Sequence, residues 1–399
     1  MSQRVTFPGA SGATLAGRLD RPPGEARAWA LFAHCFTCGK DLAAARRIGD
    51  ALAARGYGVM RFDFTGLGQS EGEFADTTFS GDVADLVAAA AYLREHEQAP
   101  TLLIGHSLGG AAVLAAAGRV AEVKAVATIG APFEPAHVRH LIEKSAPDLE
   151  AQGQATVQIG GRPFQVKAEF LHDLESQDQP SQIAALGRAL LVLHAPGDQI
   201  VGVDEARKIY QAAKHPKSFV SLDDADHLLS QERDARYAAD VIAAWGARYL
   251  PDGVEPEPEG QVRVEGGPVG FAQSVQAGVH SLRADEPKRV GGTDTGPAPY
   301  DLLLAGLGAC TSMTLRMYAD RKKWPLEGVE VRLKHSKIHA KDCEDCETKE
   351  GRVDVIERVV TIRGEALDAD QRQRLLEIAD RCPVHRTLEG EIKIRTTQG

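Results

Sequence analysis

The chain has 399 residues, more than one hydrophobic core ordinarily supports, and with 43% hydrophobic, 26% charged and 6% aromatic residues it reads as a globular protein of two or three domains. A net charge of -10 with no clustered basic patch argues against nucleic acid as a partner, and no run approaches the roughly 18–20 apolar residues of a membrane span, so no membrane role is expected. The opening "MSQRVTFPGASGATLAGRLD" lacks the basic and then apolar pattern of a secretory signal, which points to the cytoplasm. The six cysteines are then catalytic, metal-binding or core residues and not a disulfide framework.

Apolar strand-like runs alternate with helical stretches through residues 1–250. "WALFAHCF" (29–36) precedes a helix over 41–55 that Gly56 closes, and "YGVMRFDF" (57–64) precedes a helix near 79–96. "TLLIGH" (101–106) leads into "LGGAAVLAAAGR", and "VKAVATIG" (123–130), "ALLVLHA" (189–195) and "SFVSL" (218–222) continue the series. Nearly continuous apolar strands separated by helices describe an α/β class, a doubly wound parallel sheet covered on both faces. Between residues 131 and 187, "TVQIGGRPFQVKAEFLHDL" reads as a hairpin followed by a helix, a short polar lid suited to short acyl groups.

Gly105-His106-Ser107-Leu108-Gly109 follows an apolar strand and opens an Ala-rich helix. A nucleophile on a sharp strand-to-helix turn needs small neighbours two positions either side, and the Leu108 amide at the helix start then faces a developing oxyanion. Serine needs a base, and the base needs an orienting acid. Asp198 in "LHAPGDQIV" and His227 in "DDADHLL" follow successive strands, where such sheets carry their sites. Asp223, Asp224 and Asp226 compete for the acid role but lie too close in sequence to His227 to orient it easily, while His106 and His194 are expected to fill structural positions beside the site.

With these motifs, residues 1–250 resemble the α/β-hydrolase family, including "FDFTGLGQSEG" (62–72), similar to its Asp-x-x-Gly-x-Gly-x-Ser loop. "AHCFTCGKD" (33–41) is similar to the family's His-Gly-x segment, which implies that the Phe36 amide is the second oxyanion donor; Cys35 stands where glycine is usual. Cys35 and Cys38 read as packed small hydrophobes, with a redox or metal pair as the other option. The resemblance implies a serine hydrolase of small carboxylic esters or thioesters, with no cofactor.

"LPDGVEPEPEG", with its prolines and acids, marks a linker over 251–260. Beyond it, residues 261–399 form an α+β pattern of strands, a helix over about 299–323, the strands "GVEVRLKHSKIHA" and "DVIERVVTIRG", a helix over 368–381 and a last strand "EIKIRT". The stretches "DEPKRVGGTDTGPAPYDLLLAGLGACTSMTLRMYADRKKWPL" and "LLEIADRCPVHRTLEG" resemble the OsmC/Ohr family of thiol peroxidases. That resemblance implies that Cys310 attacks an organic hydroperoxide, that Cys382 resolves the sulfenic acid as a disulfide for a thiol reductant, and that the domain forms a homodimer. The residue types agree, since a sulfenate must meet a second thiol before it over-oxidises. Asp301 stands where the family's helix-start glutamate is usual, and the arginine expected beside the thiol has only Arg263, Arg283 and Arg289 as candidates. The alternative is a hydrolase whose second domain serves only for dimerisation. His335, His339, Cys343 and Cys346 have a spacing that zinc could use, although the surrounding acids suit an exposed hairpin, and no metal is expected.

Overall fold

The computed structural model describes residues 2–35, 37–159, 162–250, 255–339 and 351–398. The chain divides into two compact units, Met1–Arg283 and Ala284–Gly399. The division falls after a small three-stranded sheet that follows the Pro-rich segment, whereas the sequence places a linker within that segment at 251–260.

In the first unit the strands are β1 (Ser2–Pro8), β2 (Thr14–Asp20), β3 (Ala28–Ala33), β4 (Tyr57–Phe62), β5 (Leu102–His106), β6 (Ala125–Ile129), β7 (Gln154–Ile159), β8 (Arg162–Lys167), β9 (Ala189–His194) and β10 (Lys217–Ser221). Between them lie α1 (Ala43–Ala53), α2 (Phe79–His96), α3 (Leu108–Ala116), α4 (Arg139–Ser145), α5 (Leu149–Gln152), α6 (Ala168–Glu175), α7 (Gln179–Ala184) and α8 (Val203–Ala212), and α9 (Glu232–Gly246) follows β10. Eight strands form one sheet in the order β1-β2-β4-β3-β5-β6-β9-β10, parallel from β4 to β10, with β2 antiparallel to both β1 and β4.

The strands β3, β4, β5, β6 and β9 are buried along their whole length, as helices on both faces require. Successive residues serve opposite faces: Trp29, Leu31 and Ala33 join the core under α2 and α3, while Ala28, Ala30 and Phe32 join the core under α1 and α9. The antiparallel hairpin β7–β8 followed by α6 occupies the insertion, as its sequence predicts.

A three-stranded sheet of β11 (Val262–Gly266), β12 (Gln273–Ala277) and β13 (His280–Ala284) follows. In the second unit α10 (Pro299–Lys322) precedes a two-stranded antiparallel ribbon of β14 (Gly328–His339) and β15 (Arg352–Arg363), then α11 (Ala369–Ala379) and α12 (Pro383–Glu389). Its core joins Leu315 and Ala319 of α10 to Leu375, Ile378 and Ala379 of α11. Among described helices α10 is long and apolar enough by length and composition to cross a membrane, contrary to the expectation that no stretch is; its Leu307, Thr311, Leu315 and Ala319 are buried.

Two expectations for the second unit are corrected. The helix over 368–381 ends at Ala379, and a separate α12 starts at Pro383, so Cys382 is the residue before a new helix and not the end of the old one. Proline has no N–H to continue a helix but suits the first position of the next. Residues 391–398 form no strand, and Ile392 and Ile394 are exposed.

Candidate active site

Ser107 has φ 56° and ψ −127°, in the left-handed half of the map that few side chains adopt. That strained turn joins β5 directly to α3, and the glycines make it possible. A Cβ on Gly105 would collide with the Gly109 carbonyl, and one on Gly109 with the backbone of Ala33 and His34. The Ser107 hydroxyl therefore stands at the C-terminal edge of the sheet, beside the loop that follows β3.

Asp198 follows β9 and His227 follows β10. His227 Nδ1 lies 2.7 Å from Asp198 Oδ2 and its Nε2 lies 3.0 Å from Ser107 Oγ. The other Asp198 oxygen accepts the backbone N–H groups of Ile200 at 2.8 Å and Val201 at 3.0 Å. Burial pushes the Asp198 carboxyl up, but hydrogen bonds from His227, Val201 and Ile200 prevail and hold it below its ordinary value. Of the competing acids, Asp224 pairs with Arg233 at 2.7 Å and Asp226 accepts the Ser230 N–H at 2.9 Å. Leu108 opens α3, so its N–H has no carbonyl a turn earlier in the helix to donate to. Phe36 lies outside the described residues.

His106 and His194 do occupy positions beside this group. His106 donates Nε2–H to the His227 carbonyl at 2.6 Å, and His194 donates Nε2–H to the Val201 carbonyl at 2.7 Å. Burial lowers the pKa of both, that of His106 to about 4.

Cys35 and Cys38 are not separate packed side chains. They form a disulfide, with Cα atoms 5.3 Å apart. They are three residues apart in sequence, and a turn in which the Cys38 N–H donates to the Cys35 carbonyl at 3.1 Å brings their Cα atoms within the distance a disulfide spans. Just beyond, Lys40 is buried against Asp63, which accepts both its backbone N–H at 2.6 Å and its Nζ at 2.7 Å. Asp63 also accepts the Gln69 N–H at 3.0 Å, so the Asp-x-x-Gly-x-Gly-x-Ser loop anchors the loop after β3. The sequence reading missed Lys40; its signal is a lysine set directly after an otherwise apolar strand and turn.

In the second unit Cys310 and Cys382 are both free thiols, Cys310 partly exposed and Cys382 buried. They are not paired. The residue of α10 that meets Cys382 is Thr311, whose Oγ1 lies 3.6 Å from Cys382 Sγ, and Cys310 is about 100° around the helix from it. Asp301 caps α10 by accepting the Ala298 N–H at 3.0 Å and faces a cleft with Gly308, Ser312, Val331 and Leu333. Nine residues before Cys310, it sits about two and a half turns away, on the opposite side of the helix, so the structure does not bring the two together.

An arginine that the sequence reading missed is present here. Arg358 of β15 donates to Thr311 Oγ1 at 3.1 Å, to the Ala379 carbonyl at 3.2 Å and to Asp380 at 2.5 Å. The signal lies in "DVIERVVTIRG", where Arg358 shares the strand face of Ile356, Val360 and Ile362. Arg263 instead pairs with Glu257 at 2.6 Å and Glu265 at 3.2 Å. Arg283 belongs to β13 and Arg289 to the short turn Lys288–Val290.

Of the zinc-spaced residues, His335 and His339 are described. His335 Nε2 lies 2.7 Å from Asp354 and its ring stacks on Tyr300 at 4.1 Å, while His339 pairs in register with Arg352 about 13 Å further along β14. Cys343 and Cys346 lie outside the described residues, and among those described no three candidate ligands converge.

Comparison with known proteins divides the chain in the same way. A family model described as serine aminopeptidase S33 matches residues 25–179, and one described as OsmC-like protein matches 292–397. The esterase domain of a Rhodothermus marinus protein has 51% identity and TM-score 0.53, covering 62% of this chain and 99% of that one. Est1E of Butyrivibrio proteoclasticus, solved with ferulic acid, shares the fold at 17% identity and TM-score 0.54, over 61% of this chain and 99% of its own. A monoacylglycerol lipase of Mycolicibacterium smegmatis is 24% identical over 280 residues, 61% of this chain and 97% of the lipase. The uncharacterized protein YfhR of Salmonella typhi is 24% identical over 178 residues, 44% of this chain, which spans only 57% of that relative's length.

Proposed function

Because the chain is a fusion of an α/β-hydrolase domain with an OsmC-like domain, we propose that it hydrolyses short carboxylic esters or thioesters at Ser107 and reduces organic hydroperoxides at Cys310, in the cytoplasm and as a homodimer. The observation that carries the first activity is one imidazole within hydrogen-bond reach of both Ser107 and Asp198. Ser107 Oγ attacks the acyl carbonyl while His227 Nε2 takes its proton. Asp198 fixes the tautomer and stabilises the imidazolium, and the amides of Leu108 and Phe36 meet the oxyanion. His227 then protonates the leaving alkoxide or thiolate, and a water deprotonated by the same nitrogen releases the acid.

The short hairpin and helix over the insertion support small acyl groups, and the esterase and lipase among the relatives support an ester bond. A series of p-nitrophenyl esters from acetate to laurate tests this reading. Turnover should fall with chain length, and Ser107→Ala should lower kcat about 10⁴-fold or more. A preference for the long esters, or turnover that survives the substitution, removes the proposal.

The second activity rests on the OsmC-like match and on two free cysteines carried by neighbouring helices. The Cys310 thiolate attacks the outer peroxide oxygen and the alcohol leaves; the sulfenic acid condenses with the Cys382 thiol, expelling water, and a thiol reductant returns the disulfide to two thiols. Since Thr311 and not Cys310 meets Cys382, that condensation requires α10 and α12 to shift past one another. The homodimer is supported by α10, where Leu303, Met313 and Met317 stand exposed on the side of Cys310. Consumption of cumene hydroperoxide with a dithiol should be abolished by Cys310→Ser, and light scattering should give twice the chain mass. A dimer without peroxide turnover makes the second domain an assembly module.

A further inference from the structure

Neither reaction uses the Cys35–Cys38 disulfide, yet it lies on the loop that the hydrolase reading makes part of the oxyanion site. Its two sulfurs flank, in sequence, Phe36 and Thr37. The segment is fixed on both sides. Upstream, the Ala33 and His34 backbone presses against Gly109 in the first turn of α3, two residues from Ser107. Downstream, Lys40 is locked to Asp63 by its backbone and its side chain. Between these anchors stand the disulfide, two bonds to the Cys35 carbonyl, from the Cys38 N–H and from His34 Nδ1, and a bond from Arg162 of β8 to the Thr37 carbonyl. Only the first is covalent. Reduction leaves the segment to hydrogen bonds that contribute about 1 kcal/mol net each.

The two cysteines also differ in access. Cys35 is buried and Cys38 is partly exposed, so a soluble thiol can approach one sulfur of the pair. Disulfides in a reducing compartment are commonly transient and redox-sensing, and C-x-x-C motifs commonly favour the reactive thiolate.

We propose that Cys35 and Cys38 form a thiol–disulfide switch that sets the rate of ester hydrolysis at Ser107, fast when joined and slow when reduced; the proposal rests on the hydrolase reading. In the opening direction a dithiol reductant attacks the Cys38 sulfur as thiolate, the S–S bond breaks and Cys35 leaves as a thiolate that takes up a proton. The second thiol of the reductant displaces Cys38, so two electrons and two protons pass to the pair and the reductant becomes the disulfide. In the closing direction the Cys38 thiolate takes the outer oxygen of an organic hydroperoxide, an alcohol leaves, and the Cys35 thiol displaces water from the sulfenic acid. The ester site thereby answers to the same class of oxidant that the second domain is proposed to consume.

The test uses the full chain carrying Cys310→Ser and Cys382→Ser, so that only the proposed switch responds. Hydrolysis of p-nitrophenyl acetate is measured after hydroperoxide and after dithiothreitol, with alkylation and mass analysis reporting the state of residues 35 and 38. A misplaced oxyanion donor acts on kcat, so reduction should lower kcat about 10-fold with KM nearly unchanged, and hydroperoxide should restore it. Adding Cys35→Ser and Cys38→Ser should fix the rate at the reduced level. Equal kcat in two states that alkylation shows to be oxidised and reduced overturns the switch, as does a response that persists without the pair or a pair that hydroperoxide leaves reduced. Absence of turnover in both states, with Ser107 unlabelled by a fluorophosphonate, sinks the hydrolase reading itself and the switch with it.

Discussion

Three buried histidines outside the Ser107 group share one arrangement. His34, His106 and His194 each donate a ring N–H to a backbone carbonyl, of Cys35 at 2.8 Å, His227 at 2.6 Å and Val201 at 2.7 Å. Those carbonyls belong to the three loops that converge on Ser107, so each imidazole steadies one of them. Burial is the main reason that all three have lowered pKa values, with His106 at about 4. The unfolded chain takes up these protons near pH 6.5 and the folded chain only at lower pH. Stability is therefore full above about 6.5 and is lost as pH falls below it; for His106 the loss runs towards pH 4, by up to about 1.4 kcal/mol per pH unit. The melting temperature should drop between pH 6.5 and 4.5, and less steeply in His106→Gln; parallel profiles would remove His106 from this role. His106→Gln, which keeps a donor at the same reach, should retain most of kcat, while His106→Leu should lose about 10-fold with KM unchanged. The sequence reading placed Ser107, Asp198 and His227 in strand-end loops, and the structure brings His227 within hydrogen-bond reach of the other two. Lys40 and Arg358 were missed because a buried charge is defined by its partner, and Asp63 and Thr311 are distant in sequence.

Elements follow the same division between local and distant causes. The central strands are legible since burial on both faces demands unbroken apolar runs. The hairpin β1–β2 was not read, because edge strand β1 buries only Phe7, β2 alternates, and the two carry arginines and a glycine. "EIKIRT" alternates as a strand should, yet alternation supplies no hydrogen-bonding partner, and the segment has none in a strand ladder among the described residues. In the second unit α10 holds its neighbours through Leu315, which is 0% exposed. Leu315→Ala should cost about 2–5 kcal/mol in the unfolding of that unit, read from a chemical denaturation curve, while ester turnover stays at its original value. A cost near zero would mean that α10 is not the core element described. Arg358→Met removes the donor to Thr311 and to the Ala379 carbonyl, and about 1–3 kcal/mol of stability should go with it. If Arg358 serves Cys382 only as packing, peroxide turnover per folded molecule will not change; if its charge matters to the thiol, turnover falls further than stability does.

At the scale of the whole chain, each unit contains a complete core. Two apolar clusters line the faces of the eight-stranded sheet, and a third joins α10 to α11. Each proposed reaction also finds its groups within one unit, Ser107, Asp198 and His227 in the first and Cys310 and Cys382 in the second. Neither proposed reaction therefore needs the fusion to complete its site. Two models of the protein then differ. With wholly independent sites, Ser107→Ala removes ester turnover and spares peroxide turnover, Cys310→Ser does the reverse, and the double variant simply combines the losses. With the Cys35–Cys38 switch in place the single variants give the same basal rates, but the ester rate acquires a history. When a pulse of two equivalents of hydroperoxide is given to the reduced wild-type chain without reductant, the first oxidises Cys310 and Cys382 and the second Cys38 and Cys35, so ester turnover rises late. In Cys310→Ser the same pulse reaches Cys38 directly and the rise comes early. Following p-nitrophenyl acetate hydrolysis after such a pulse therefore reads the coupling from its timing. Identical time courses in the two chains would leave the domains as neighbours with nothing to exchange.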